Sequence, residues 1–143
     1  MTDTNRAALA ALVLRTSLGA LFIAHAGLKY FVFTPEGAAG FFASLGLPGA
    51  LAYLVMAAEA AAGIALILGV GVRAVALATL PILLGAIALV HGPNGWLFSN
   101  ENGGWEFPAF WAAALVVQAL LGAGAYALRL PLGENARTRS LAA

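Results

Sequence analysis

The sequence predicts an all-α integral membrane protein: one bundle of four transmembrane helices, with a short interfacial helix between the first two spans and both termini in the cytoplasm. Hydrophobic residues make up 62% of the 143 residues and charged residues only 9%. In soluble domains about 45–50% of the residues are apolar and about 25% are charged. Four long apolar stretches follow one another, and the arginines collect at one set of their ends. With so few charges, lipid must cover most of the surface.

The four apolar stretches are each long enough for a membrane span, which takes about 20 residues in a helix. We place the spans at residues 7–33, 51–71, 73–91 and 107–128, within one transmembrane domain, 1–128. Thr34-Pro35 ends the first span because proline does not continue a helix in the ordinary way. Residues 35–47 are amphipathic and are expected to lie in the interface, and residues 129–143 are expected to form a short cytoplasmic tail.

The cationic side chains set the expected orientation, because Lys and Arg are retained in cytoplasmic segments. Only Lys29 falls towards the other side from the arginines, which are Arg6, Arg15, Arg73, Arg129, Arg137 and Arg139. We therefore expect a multi-pass membrane protein with both termini in the cytoplasm. A formal net charge of +1 gives no basic surface for nucleic acid, and the lack of cysteine excludes disulfides and thiol chemistry carried by this chain.

Ionisable residues lie within the predicted spans, where each charge costs about 2.5–3.5 kcal/mol on insertion. At 100° per residue, Arg15, His25 and Lys29 fall within about an 80° arc of the first helix, so this stripe is expected to face the bundle interior. Arg15, near the cytoplasmic end, is expected to reach the headgroups as an anchor. His25 and Glu59 each lie about eight residues from an outer helix end, roughly 12 Å deep. Antiparallel neighbours would bring them level, and Lys29 can reach the same carboxylate.

Two further ionisable residues lie at the outer boundary, His91 at the end of the third span and Glu106 at the start of the fourth. Both can line the mouth of one cavity, or can simply be solvated there. Gly63, one turn from Glu59, permits either close helix approach or room for a ligand. The expected catalytic residues are His25 and Glu59, and the expected ligand-binding residues are His25, Lys29, Glu59, His91 and Glu106. A plain salt bridge between the first two helices is the alternative for Lys29 and Glu59. Interface or packing roles are expected for the tryptophans, which are Trp96, Trp105 and Trp111.

The order and spacing of several short pieces resemble the DoxX family of small four-helix bacterial membrane proteins, over nearly the whole chain. The pieces are Arg15-Thr-Ser-Leu-Gly19, His25-Ala-Gly-Leu-Lys29, Glu59-Ala-Ala-Ala-Gly63, Leu68-Gly69, Arg73, Gly103-Gly-Trp-Glu106 and Gly122-Ala-Gly124. The resemblance implies association with membrane oxidoreductase complexes, among them thiosulfate:quinone oxidoreductase. Because this chain has no cysteine, any thiol role would fall to a partner.

A quinone-linked membrane subunit of an oxidoreductase system is the function that we expect. A quinone head group has two carbonyls that need hydrogen-bond donors, and its reduction takes up protons. His25 and Lys29 can donate to the carbonyls, and Glu59 can relay protons. The expected partners are the lipid bilayer and a soluble or membrane oxidoreductase, and self-association is left open.

Other functions remain open at this point. The bundle can be a non-catalytic anchor or scaffold for a soluble oxidoreductase, with its polar stripe joining helices. It can also be a small-solute transporter, although four spans without a repeat of discontinuous helices argue against this function. A metal or haem bound in the bundle is a further variant. Its candidate ligands, which form no recognisable short motif, are His25, Glu59, His91 and Glu106.

Overall fold

The computed structural model describes residues 2–128, so the predicted tail at 129–143 lies outside the described residues. All regular elements within this range are helical. The principal helices are α1 (Asp3–Gly27), α2 (Pro35–Ser44), α3 (Ala50–Leu68), α4 (Val72–Ala86) and α5 (Glu106–Leu121). Short π-helical segments extend two of them, Leu28–Val32 after α1 and Ile87–His91 after α4, and a 3-10 turn, Gly92–Asn94, follows the second.

Three continuous helices in the described range are long and apolar enough to cross a membrane. They are Asp3–Val32 with 30 residues, Ala50–Leu68 with 19 and Val72–Asn94 with 23. Helix α5 is also apolar but has only 16 residues. At 1.5 Å per residue this is about 24 Å, less than the hydrocarbon thickness of about 30 Å. The chain is an all-helical membrane protein, as predicted, and its predicted fourth span at 107–128 is helical only as far as Leu121.

The backbone turns at the end of α5 because Gly122 has a φ of 82°, in the left-handed region that favours glycine. The following segment returns to the bundle, where the Ala125 N–H donates to the Ala8 carbonyl and the Leu128 N–H to the Leu68 carbonyl. Non-helical backbone at membrane depth is tolerated where the protein itself satisfies its polar groups. These bonds therefore allow the chain after α5 to remain non-helical beside the apolar helices.

Helices α1, α3, α4 and α5 form a bundle in which each helix packs against the next in the cyclic order α1, α3, α4, α5. Its core contains buried side chains from all four helices, among them Leu18, Phe22, Leu66, Leu83, Trp111 and Leu115. We call the two ends of this bundle the arginine end, with Arg15 and Arg73, and the loop end, with Lys29 and the loop formed by residues 92–105. The sequence predicts that the loop end faces outwards. Helix α2 packs against α3 and the π-helical segment after α1.

Helices α1 and α3 are antiparallel and approach most closely at two glycines. A Cβ atom on Gly19 would lie 2.8 Å from the Gly63 carbonyl oxygen, and one on Gly63 would lie 2.7 Å from Ile23 Cγ1. Of the two uses open to Gly63, the structure therefore shows close helix approach. Because lipid tails are as apolar as the helices, such packing between small residues is a principal source of association in a membrane.

We predict that Gly63→Ala destabilises the bundle, because the added methyl group overlaps α1. The expected loss in the free energy of unfolding is about 1–3 kcal/mol, as for overpacked cores. Gly85→Ala is the matched control, since a Cβ atom there meets no atom within 4 Å and alanine favours a helix over glycine. Thermal unfolding followed by circular dichroism in one detergent measures both. Equal melting temperatures for the two variants would contradict the close contact.

Candidate functional site

An ion pair joins α1 and α3 near the loop end. Lys29 Nζ lies 2.8 Å from Glu59 Oε1 and 2.9 Å from Glu59 Oε2, so the ammonium group donates to both carboxylate oxygens. The Glu59 side chain is 4% exposed and the Lys29 side chain 20%. The predicted contact between Lys29 and this carboxylate is therefore present. The attraction between the two charges is stronger in the low-dielectric surroundings of an apolar bundle than it would be in water.

The backbone of Lys29 belongs to the π-helical segment Leu28–Val32, a wider turn than the α-helix that precedes it. The second π-helical segment, Ile87–His91, places His91 at the same end of the bundle. Such turns are rare within α-helices and are frequent at functional sites. Both widened turns thus occur at the loop end, and each carries one of the ionisable residues selected from the sequence.

His25 lies one helical turn from Lys29 but contacts a different helix. Its Nδ1 is 2.9 Å from the Leu21 carbonyl oxygen of its own helix. Its ring packs edge-on against Trp111 of α5, with the ring centroids 4.8 Å apart, and nearly parallel to Phe107, 6.5 Å away. His25 is therefore directed towards α5, whereas Glu59 bonds to Lys29.

Trp111 belongs to a group of five aromatic side chains that we call the aromatic column. Besides its contact with His25, Trp111 packs against Phe22 at 4.8 Å and Phe107 at 5.8 Å. Phe98 of the loop lies 5.3 Å from Phe107 and completes the column. The column thus runs from the loop into the bundle core, and its members are Phe98, Phe107, His25, Trp111 and Phe22.

The indole nitrogen of Trp111 is a buried hydrogen-bond donor. The residue is 4% exposed, and its Nε1 has no hydrogen-bond partner among the described residues. The sequence suggested only an interface or packing role for this tryptophan. The available signal was the spacing of Phe107 and Trp111, four residues apart, which places both rings on one helix face. Neither the neighbouring His25 nor the unpaired N–H follows from that spacing.

His91 and Glu106 are engaged by the loop. His91 Nδ1 lies 2.9 Å from the Gly103 carbonyl oxygen, and Glu106 Oε1 accepts a hydrogen bond from the Phe98 N–H at 2.9 Å. Both side chains are half-buried. These two hydrogen bonds hold the loop over the N-terminal end of α5. His91 and Glu106 thus make contacts that shape the loop.

Arg15 is bound inside the protein at the arginine end. The residue is 1% exposed. Its Nη1 donates to the carbonyls of Leu66, at 2.8 Å, and Ile67, and its Nη2 donates to the Ala125 carbonyl at 3.1 Å. Carbonyls in the last turn of a helix lack helical partners, and a cation there is favourable. Arg15 thus caps α3 and holds the segment after α5, so the expected headgroup anchor is wrong.

The predicted site residues fall into three groups and do not meet at one point. Lys29 and Glu59 form the ion pair, His25 joins the aromatic column, and His91 and Glu106 hold the loop. Within residues 2–128, no group of three or more His, Asp or Glu side chains is placed to hold a metal ion. The ion pair offers ionisable groups, and the aromatic column offers ring faces and a buried N–H donor. One turn of the first helix, from His25 to Lys29, connects them.

We predict that Glu59→Gln destabilises the bundle by about 3 kcal/mol, because removing one member leaves the other charge uncompensated in a mostly buried place. The double variant Lys29→Met, Glu59→Leu should recover most of this loss, since apolar side chains of similar volume often replace a buried pair without cost. Glu36→Gln, on an exposed position of α2, is the control. Thermal unfolding in detergent compares the variants. A Glu59→Gln protein as stable as Glu36→Gln would show that the pair contributes nothing.

Comparison with known sequences gives one family. The sequence model of the DoxX family matches residues 10–92, which is more than half of the chain. The matched part contains Arg15, His25, Lys29, Glu59 and His91, whereas Glu106 and Trp111 lie beyond it. No curated protein and no solved structure matches the chain. The helices predicted from the sequence, the polar residues that they carry and this match agree: the chain belongs to the DoxX family.

Proposed function

We propose that this chain is the membrane subunit of a quinone-linked redox system, and that it binds a quinone head group in the loop-end half of the bundle. The observation that carries the proposal is a mostly buried ion pair, Lys29–Glu59, one helical turn from His25 of the aromatic column. Ionisable groups at membrane depth are costly, and they commonly mark proton or substrate pathways. Membership of the DoxX family supports a membrane role of this kind.

The residues around His25 fit a flat, oxygen-bearing ring. The aromatic column offers ring faces and edges, and Trp111 Nε1 is a buried donor with no partner among the described residues. A donor of this kind favours a ligand that brings an acceptor, because an unpaired buried N–H costs about 1–3 kcal/mol. A quinone, when bound, supplies two-electron chemistry coupled to two protons.

The ion pair is suited to moving protons near such a ligand. Lys29 holds the charge of Glu59 in place, and His25 lies one turn away on the same helix. A carboxylate and an imidazole at neighbouring positions can accept and release protons in turn. The chain has no cysteine, so thiol-derived electrons would come from a partner oxidoreductase.

We predict that the purified protein retains a quinone extractable into organic solvent, and that it binds a short-chain benzoquinone in equilibrium dialysis. Trp111→Phe should weaken this binding about three- to tenfold, which corresponds to the loss of one hydrogen bond. In cells that lack the native gene, the oxidised fraction of the membrane quinone pool should be restored by the wild type and by Glu36→Gln, but not by His25→Ala or Glu59→Gln.

The proposal would be refuted by a protein that neither retains nor binds quinone, together with full restoration of the quinone pool by both site variants. Protein amounts in the membrane are compared first, because Glu59→Gln also lowers stability. The double variant Lys29→Met, Glu59→Leu separates the two effects. It should be stable and yet fail to restore the pool.

A second candidate is a non-catalytic anchor for a soluble oxidoreductase, which is favoured by the closed geometry of the ion pair. Both carboxylate oxygens of Glu59 are bonded by Lys29, as expected of a contact that joins α1 to α3. In this case a stoichiometric soluble partner should co-purify, and the stable double variant should retain both the partner and the quinone-pool phenotype. Loss of the phenotype with the partner still bound supports the quinone-linked subunit.

We also propose that the bundle lies in the bacterial inner membrane with four spans and both termini in the cytoplasm. The arginine end would then face the cytoplasm, in line with the retention of Arg and Lys there. Helix α5 and the segment that follows it would together make the fourth crossing. The hydrogen bonds from Ala125 and Leu128 to the arginine end support this arrangement.

Because the chain has no cysteine, single-cysteine variants test the topology directly. We predict that Asn100→Cys, in the loop, reacts with a membrane-impermeant maleimide in spheroplasts. Asn5→Cys, in the first turn of α1, should react only after the membrane is permeabilised. Both positions are exposed, so accessibility to reagent is matched. Labelling of Asn5→Cys in intact spheroplasts would contradict the proposed orientation.

A further inference from the structure

The tautomer of His25 is fixed by its hydrogen bond. A backbone carbonyl can only accept, so the contact between Nδ1 and the Leu21 carbonyl oxygen at 2.9 Å requires a proton on Nδ1. In the neutral imidazole the other ring nitrogen, Nε2, then carries a lone pair and is an acceptor. The helix itself thus presents His25 as a hydrogen-bond acceptor towards whatever lies beside it.

The neighbour of this acceptor is a donor. The indole nitrogen of Trp111 can only donate, and it is buried with no partner among the described residues. The two ring centroids are 4.8 Å apart, so the two rings are in direct contact. His25 and Trp111 therefore form an acceptor–donor pair on facing helices, α1 and α5.

We propose that this pair binds a hydroxyl group on an aromatic ring, so that the site prefers a quinol to the corresponding quinone. The inference rests on the proposed quinone-linked function, and it adds which redox form of the ligand binds more tightly. A hydroxyl group accepts from Trp111 Nε1 and donates to His25 Nε2, which satisfies both nitrogens. A quinone carbonyl can only accept, so it pairs with Trp111 and leaves the His25 lone pair unmatched.

The surrounding side chains suit a ring that carries such a hydroxyl group. Phe107 lies nearly parallel to the His25 imidazole, with an interplanar angle of 18°, and Phe98 of the loop packs on Phe107. Phe107 is one turn nearer the loop end than Trp111. Phe107 is half-buried and Phe98 is exposed, so both rings are more accessible than the buried ring of Trp111.

The test compares the affinities for three forms of one ring, a short-chain benzoquinone, its quinol and the dimethyl ether of that quinol. Isothermal titration calorimetry under anaerobic conditions is performed on the full chain in mild detergent. We expect the wild type to bind the quinol about tenfold more tightly than the quinone or the ether, as one matched hydrogen bond allows.

Two ring-conserving variants separate the two partners. His25→Phe removes the acceptor, so the preference for the quinol should fall to about one, since the ring stacking is retained while the matched bond is lost. Trp111→Phe removes the donor that serves both redox forms, so both should bind more weakly by a similar factor. Trp96→Phe is the matched control, because that tryptophan lies in the exposed loop.

The outcomes distinguish this inference from the proposed function. Equal binding of quinol and quinone by the wild type, or a quinol preference unchanged in His25→Phe, overturns the acceptor–donor pair and leaves the quinone-linked function standing. Binding of none of the three ligands overturns both. The expected pattern, with the preference lost only in His25→Phe and the affinity lowered in Trp111→Phe, supports both.

Discussion

The antiparallel contact between α1 and α3 is the interaction on which the rest of the structure depends. Two glycines, Gly19 and Gly63, bring the backbones together where even a methyl group would overlap. Lys29–Glu59 joins the two helices near the loop end, and Arg15 binds the last carbonyls of α3 at the arginine end. Lipid provides little hydrophobic drive between helices, so close packing and internal polar contacts must hold them. With this pair fixed, α1 also packs against α5, and His25 meets Trp111.

The sequence predicted much of the fold because hydrophobic length and charge scarcity act over whole segments. It also predicted that Lys29 reaches the Glu59 carboxylate, since helical periodicity and depth are regular quantities. It did not predict the end of α5 at Leu121, because composition stays apolar while a single left-handed glycine and bonds to distant carbonyls turn the chain. The Glu59→Gln variant tests the contact between Lys29 and Glu59, which helical periodicity predicted.

The candidate site was less accessible from sequence because its geometry depends on which helix each side chain meets. Angles around α1 place His25 and Lys29 on one stripe, but they do not say that His25 faces α5 while Lys29 faces α3. Arg15 shares the stripe, yet its long side chain finds backbone carbonyls that no residue pattern reveals. The unpaired N–H of Trp111 could not be predicted from the sequence either, because a missing partner is visible only when all neighbouring atoms are placed.

Helices α1 and α3 are also held together by contacts other than the ion pair. The glycine contact and the Arg15 bonds both hold α1 against α3. Burying two charges carries a desolvation penalty that their attraction repays only in part, and apolar side chains of similar volume commonly serve as well. A pair kept only to join helices would therefore be an expensive addition. Its position, one turn from a histidine with a fixed tautomer and in a widened turn of the helix, supports the proton exchange that we propose for it.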